Sequence, residues 1–157
     1  MKLHAADRRC MKKYLRGIAD TQEAQRMKGF IQHGHITTYQ HVMNVVGMSC
    51  LLDRRLHFHA DRRSLVRGAF LHDYYLYDWH DRSAHAKLHG FRHPLTALSN
   101  AKKRYDLSPK EENIIESHMW PLTLTHVPRC REAVLVCVAD KLCALYETIF
   151  RNRQMFG

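Results

Sequence analysis

No uninterrupted apolar run in this chain approaches the roughly 20 residues that a membrane-spanning helix needs. The N-terminus, Met1-Lys2-Leu3-His4-Ala5-Ala6-Asp7-Arg8-Arg9, turns charged before an apolar signal core can form. The expectation is a cytoplasmic protein with no membrane partner. Cysteines at 10, 50, 130, 137 and 143 form no C-x-x-C pair, which argues against a thiolate zinc site. Their apolar, helix-like surroundings predict buried free thiols in a reducing compartment. Low-complexity segments, internal repeats and Pro/Gly-rich linkers are also missing, so the reading is a single domain over residues 1–157.

Acidic residues are the scarcer charge: 15 Asp and Glu against 25 Lys and Arg give a formal net charge of +10. Such a balance fits either attraction to an anion or solvated helix faces. The basic residues are scattered in pairs such as Arg8-Arg9, Lys12-Lys13, Arg62-Arg63 and Lys102-Lys103. No nucleic-acid-binding motif accompanies them, so solvated faces are expected and a nucleic-acid partner is not.

Histidine is in excess, with 13 in 157 residues. It is the commonest side-chain metal ligand, so the positions of the histidines carry the argument. Helical periodicity dominates the chain and predicts an all-α fold, a compact bundle of six to seven helices without strands. Leu3, Cys10, Met11, Tyr14, Leu15 and Ile18 predict a helix over 3–19, and a shorter one follows over 21–32 until Gly34 breaks it. Thr37 and Gln40 form a capping box for a long helix to about Leu56, and Asp61 caps the next, which ends at His72-Asp73. Residues 79–92 read as a loop. Pro94 at a first-turn position opens a helix to about Asp106. Ser108-Pro109-Lys110-Glu111 starts a helix that Pro121 stops, and a last helix spans about 130–151.

Six polar residues interrupt these apolar helical segments. His41 precedes Val42, Val45 and Val46; His72-Asp73 ends Gly68-Ala69-Phe70-Leu71; His93 stands at a helix start. His118 follows Ile114-Ile115, and Asp140 interrupts Val136-Cys137-Val138-Ala139. Buried charges and imidazoles are costly unless paired or coordinated. Singly, each fits a hydrogen-bonded core residue. Together, four imidazoles and two carboxylates in a helical bundle suit a cation site for Fe, Mn, Zn, Co or Ni rather than Ca.

The order His41 … His72-Asp73 … His93 … His118 … Asp140 resembles the H…HD…H…H…D pattern of the HD superfamily of metal-dependent phosphohydrolases. Local contexts agree over about residues 30–145: Thr37-Thr38-Tyr39-Gln40-His41-Val42, Ala69-Phe70-Leu71-His72-Asp73, His93-Pro94-Leu95-Thr96-Ala97 and Ala139-Asp140-Lys141. The resemblance implies two divalent transition metals, Fe or Mn foremost, with Zn, Co or Ni also fitting. His41, His72, Asp73 and Asp140 would hold one and His93 with His118 the other, bridged by Asp73, the catalytic carboxylate. A one-metal site, with His93 or His118 meeting substrate, stands beside this reading. The implied activity is hydrolysis of a phosphoester in a nucleotide or similar small phosphorylated substrate by a metal-bridging hydroxide.

Leu76 occupies the place of the Lys in the "HDIGK" form of the motif, and no GYP-like segment lies near His118. The cyclic-di-GMP phosphodiesterase subgroup is therefore disfavoured. His33, Lys87, His89, Arg92 and Lys141 are candidate substrate contacts, although a solvated-loop reading also fits those outside the last helix. Asp78-Trp79-His80 fits either a wall or support of the substrate site or, the reading preferred here, Trp79 as packing and His80 as surface. Two other classes stay open: a di-iron HD oxygenase, and a non-catalytic HD module for binding or regulation.

Overall fold

The computed structural model describes residues 2–81, 89–150 and 155–156, with His89 described in its backbone alone. Seven α-helices carry the fold: α1 (Ala5–Tyr14), α2 (Gln22–Arg26), α3 (Thr38–Leu56), α4 (Arg62–Leu71), α5 (His89–Lys102), α6 (Pro109–Ser117) and α7 (Arg131–Ile149). Helices α3, α4, α6 and α7 pack in a closed square, in which each touches the next around the ring, and α5 leans on α6. The middle of the square is filled by Val42, Val45 and Val46 of α3, Leu65, Val66, Ala69 and Phe70 of α4, Ile114 and Ile115 of α6, and Leu135, Val136 and Ala139 of α7. Full burial of such Val, Leu, Ile or Phe side chains contributes about 1.5–3 kcal/mol each, less the entropy of ordering them.

The predicted start signals operate as read. Thr37 and Ser108 each form a reciprocal capping box, with Gln40 and Glu111, and the Asp61 side chain accepts from the Arg63 and Ser64 amides. These caps satisfy helix-end amides that would otherwise be orphaned. Asp7, fully buried, receives Arg54 at 3.3 Å and Arg62 at 3.0 Å, and Arg62 also reaches Asp53 at 3.3 Å. That network ties α1 to the end of α3 and the start of α4. All five cysteines are free, and Cys50, Cys137 and Cys143 are buried. Among the described residues no helix is long and apolar enough to cross a membrane.

Three expectations need correction. The helix expected over 3–19 ends at Tyr14, and the chain turns through Gly17 at φ +74°, which a β-carbon would oppose. The helix expected over 21–32 is only α2 and a 3₁₀ turn, Met27–Gly29. The chain then makes a small antiparallel hairpin, β1 (Ile31–His33) with β2 (Ile36–Thr37), around Gly34 at φ +58°. Strands of three and two residues are too short to show an alternating pattern. Finally, α5 begins at His89 and stops at Lys102, which places Pro94 inside it rather than in its first turn. Proline has no amide hydrogen, so the α-helical bond from position 94 to the Gly90 carbonyl is missing there.

Helices α4 and α6 pack closely at Gly68. A β-carbon there would come within 2.5 Å of Ile114 Cδ1 and 3.0 Å of its Cβ. Gly68→Ala should therefore lower unfolding stability by about 1–2 kcal/mol, the steric cost exceeding the helix-propensity gain. Urea unfolding measures this, and adding Ile114→Val should recover part of the loss. A single variant as stable as the parent would contradict the close-packing account.

Candidate metal centre

The end of the helical square where α3 starts and α4 and α6 stop collects the six expected residues. His41 lies in the first turn of α3, His72 and Asp73 just beyond α4, and His93 in the first half of α5. His118 follows α6, and Asp140 is midway along α7. All are nearly inaccessible, between 0% and 9% exposed. Asp73 stands between two sets of imidazoles. Its Oδ2 lies 3.4 Å from His72 Nε2 and 3.8 Å from His41 Nε2, whereas its Oδ1 lies 3.2 Å from His93 Nε2 and 3.5 Å from His118 Nε2. Asp140 Oδ1 is 3.0 Å from His41 Nε2 and 3.7 Å from His72 Nε2.

Contacts outside this cluster orient the rings. Nδ1 of His72 donates to the Ala69 carbonyl at 2.7 Å, and Nδ1 of His118 donates to the Ile115 carbonyl at 2.8 Å. Nδ1 of His41 is 2.8 Å from Glu147 Oε2, whose other oxygen accepts from Asn44 Nδ2 at 2.8 Å. In neutral rings these bonds leave the Nε2 lone pairs facing inward, towards carboxylate oxygens and one another. Nε2 of His93 and Nε2 of His118 are 2.8 Å apart. His72 Nε2 and Asp73 Oδ1 are buried without a hydrogen-bond partner. Converging acceptors and orphaned buried atoms of this kind fit a cation. Ligand atoms within 4.8 Å of one another occur in the groups His41-His72-Asp73, His72-His118-Asp140 and Asp73-His93-His118, and in His33-His41-Glu147. Imidazole nitrogen with carboxylate oxygen is a donor set for first-row divalent ions.

A cleft of about 610 Å³ opens above the cluster. Asp73, His93, His118 and Asp140 lie in its floor, and Trp79, Met119, Pro121 and Leu122 form an apolar wall. His33 lines it too, half-buried and edge-on to His41 at 5.4 Å between ring centres. Lys141 reaches the same cleft, its Nζ donating to the His118 carbonyl at 3.0 Å. Arg92 is exposed and is not among the described residues lining the cleft. It neighbours His93 on a helix, so its side chain projects about 100° away from that histidine. Lys87 and the side chain of His89 lie outside the described residues. Trp79 lines the cleft, as the wall reading of 78–80 has it rather than the packing one, with exposed His80 tilted against its ring at 4.0 Å between ring centres.

Two functional neighbours escaped the sequence reading. Glu147, which holds His41, lies seven residues after Asp140 on α7, two turns along the same face. That spacing was a usable signal, but a lone Glu late in a helix has no motif beside it to mark it as buried. Gln32 donates from Nε2 to Asp73 Oδ2 at 2.8 Å, and its Oε1 accepts from Thr38 Oγ1 at 3.1 Å and from the Tyr75 hydroxyl. The expected helix over 21–32 concealed it; as a strand residue, Gln32 points straight into the site.

The chain belongs to the HD-domain family, whose model matches residues 38–145. HD domains bind divalent metals and are typical of metal-dependent phosphohydrolases. No curated protein and no solved structure matches the chain significantly.

Protonation within the cluster follows from its charges. Burial opposes charge on His41, but hydrogen bonds to Asp140 and Glu147 outweigh it and push the imidazole up to about 9. Burial and the neighbouring His72 and His93 push His118 down to about 3. Asp73 is held well below the usual carboxylate range: burial opposes this, and the charge of His72 overcomes it.

These shifts predict how the metal-free protein responds to pH. The raised His41 pKa contributes stability fully present below about 6.5 and lost as pH rises through about 9. The lowered His118 pKa contributes stability present above 6.5 and lost as pH falls towards about 3. Chelator-treated protein should therefore lose on the order of 2–4 kcal/mol of stability between pH 6.5 and 9. Metal loading should abolish or reverse that slope, because ligands must shed protons to bind. Glu147→Gln should flatten the metal-free slope. Denaturant unfolding across this range tests it, and a rise in metal-free stability towards pH 9 would contradict the assignment.

Proposed function

We propose that this chain is a metal-dependent phosphohydrolase that cleaves a phosphoester in a small, nucleotide-like substrate at a dinuclear centre. The carrying observation is the division of Asp73: one oxygen faces His41 and His72, the other faces His93 and His118. A bridging carboxylate needs that disposition. His41, His72, Asp73 and Asp140 would hold one cation, and Asp73, His93 and His118 the other. When bound, the cations would supply Lewis-acid activation of water and of the phosphoryl oxygens.

The protein's own groups account for the rest. Glu147 holds the Nδ1 proton of His41, so that ring presents Nε2 to the site, and the Ala69 and Ile115 carbonyls do the same for His72 and His118. Gln32 restrains Asp73 Oδ2, so that the carboxylate cannot swing towards one side. Lys141, the ammonium closest to His118, is placed to meet a substrate phosphate oxygen and offset charge that develops there. The volume of the cleft suits a small molecule, and the Trp79 wall offers an apolar face for a base or similar ring.

Asp73→Asn keeps the shape of the side chain but halves its capacity to bridge. In protein loaded with manganese or iron it should lower phosphoester hydrolysis by at least about a hundredfold while leaving the far-ultraviolet circular dichroism unchanged. Assays on nucleoside mono-, di- and triphosphates with phosphate release as the readout check this. Retained turnover in the variant, or oxygen uptake by iron-loaded protein in place of phosphate release, would contradict the proposal.

A further inference from the structure

Beside α4, away from the cleft, a pocket of about 390 Å³ is lined by Lys13, Arg16, Arg63, Arg67 and Arg104, none of which lines the cleft. These residues come from three separate stretches of sequence. Lys13 is in the last turn of α1 and Arg16 in the turn after it; Arg63 and Arg67 are four apart on one face of α4; Arg104 follows α5. Arg67 and Arg63 lie about 7.5 and 13.5 Å along α4 from the metal-site end at His72.

Two of the guanidiniums are held in place by the protein. Arg67, with a side chain only 12% exposed, pairs through Nε with buried Glu111 at 2.9 Å and donates from Nη2 to the Asp106 carbonyl at 3.1 Å. Arg104 pairs with Glu23 at 2.5 Å. The other three, Lys13, Arg16 and Arg63, are exposed and have no acidic partner among the described residues. Asp106 is the one acid in the lining. Like charges crowded into a concavity repel one another, and focused positive potential of this kind is relieved by a multivalent anion. Planar guanidiniums suit phosphate oxygens, and Tyr14, with Lys13 Nζ over its ring at 4.9 Å, and Tyr105 line the same wall.

We propose that this pocket is a second binding site, separate from the metal centre, for a polyphosphate group carried by a small molecule. Lys13, Arg16 and Arg63 supply the uncompensated charge, while Arg67 and Arg104 form the rigid floor. The site needs no metal ligand of its own and does not rest on the chemistry proposed for the cleft. Inorganic polyphosphate and a nucleoside triphosphate share the recognised group, and the tyrosine rings distinguish them.

Isothermal titration of the full chain with inorganic tripolyphosphate, at physiological salt, tests the proposal. The double variant Arg16→Glu/Arg63→Glu should weaken binding by about tenfold or more. Both positions are exposed, and melting without ligand confirms that the variant folds. Arg26→Glu/Arg55→Glu makes the same change in net charge at exposed arginines away from the pocket and should leave binding within about twofold. Tighter binding of a nucleoside triphosphate than of tripolyphosphate, with the excess lost in Arg16→Glu/Arg63→Glu, would identify the pocket's ligand as a nucleotide, and equal binding would identify the phosphate chain alone. Unchanged affinity in Arg16→Glu/Arg63→Glu would place the anion at the metal centre and overturn the proposal. Equal losses in the two double variants would reduce it to general attraction by a basic surface and would overturn it as well.

Discussion

The structure depends on how the protein accommodates one buried carboxylate. Asp73 is almost inaccessible to water and lies within 3.8 Å of four imidazole nitrogens. Taking a carboxylate out of water costs several kcal/mol unless positive charge or hydrogen-bond donors replace the solvent. Gln32 supplies one donor to Oδ2, but Oδ1 has none. In the metal-free protein, protonation of His41 and His72 offsets the acid, with Nδ1 of each held by Glu147 or a backbone carbonyl and Nε2 facing the carboxylates. In the proposed dinuclear centre, a cation on each side of Asp73 would satisfy the carboxylate and the inward nitrogens together.

The fold delivers these groups with few specialised devices. The Thr37 capping box sets where α3 begins and so where His41 faces; Leu71 and Ser117 end α4 and α6, each one residue before a histidine of the cluster. A helix end leaves carbonyls free, and those three residues back accept the Nδ1 protons of His72 and His118. Helix termination and ligand orientation are thus the same structural event. The core of valine, leucine and isoleucine keeps the four ends in register, and the Gly68–Ile114 approach fixes the spacing between the two histidine-bearing ends.

The parts of this arrangement written in local sequence were legible. Capping boxes at Thr37 and Ser108, the Asp61 cap and the apolar stripes around His41, His118 and Asp140 all have short-range signatures, and they gave the helical class and the six converging residues. Contacts made across the fold were not legible. Gln32 reaches Asp73 across 41 residues and Glu147 reaches His41 across 106, and neither carries a neighbouring motif. The hairpin that aims Gln32 was hidden because so few residues cannot display a period of two. The scattered basic residues read as solvated faces, but folding gathers five of them into one pocket, because α1, the start of α4 and the end of α5 meet there.

The central claim is that Asp73 bridges two cations, and counting metal measures it most directly. Elemental analysis of freshly purified, untagged protein, repeated after anaerobic loading with iron or manganese, should give about two first-row metals per chain, and His118→Ala about one. A single equivalent in the loaded parent, unchanged by His118→Ala, would contradict the dinuclear account and leave His93 and His118 as substrate contacts. No bound metal under either condition would contradict the metal centre altogether.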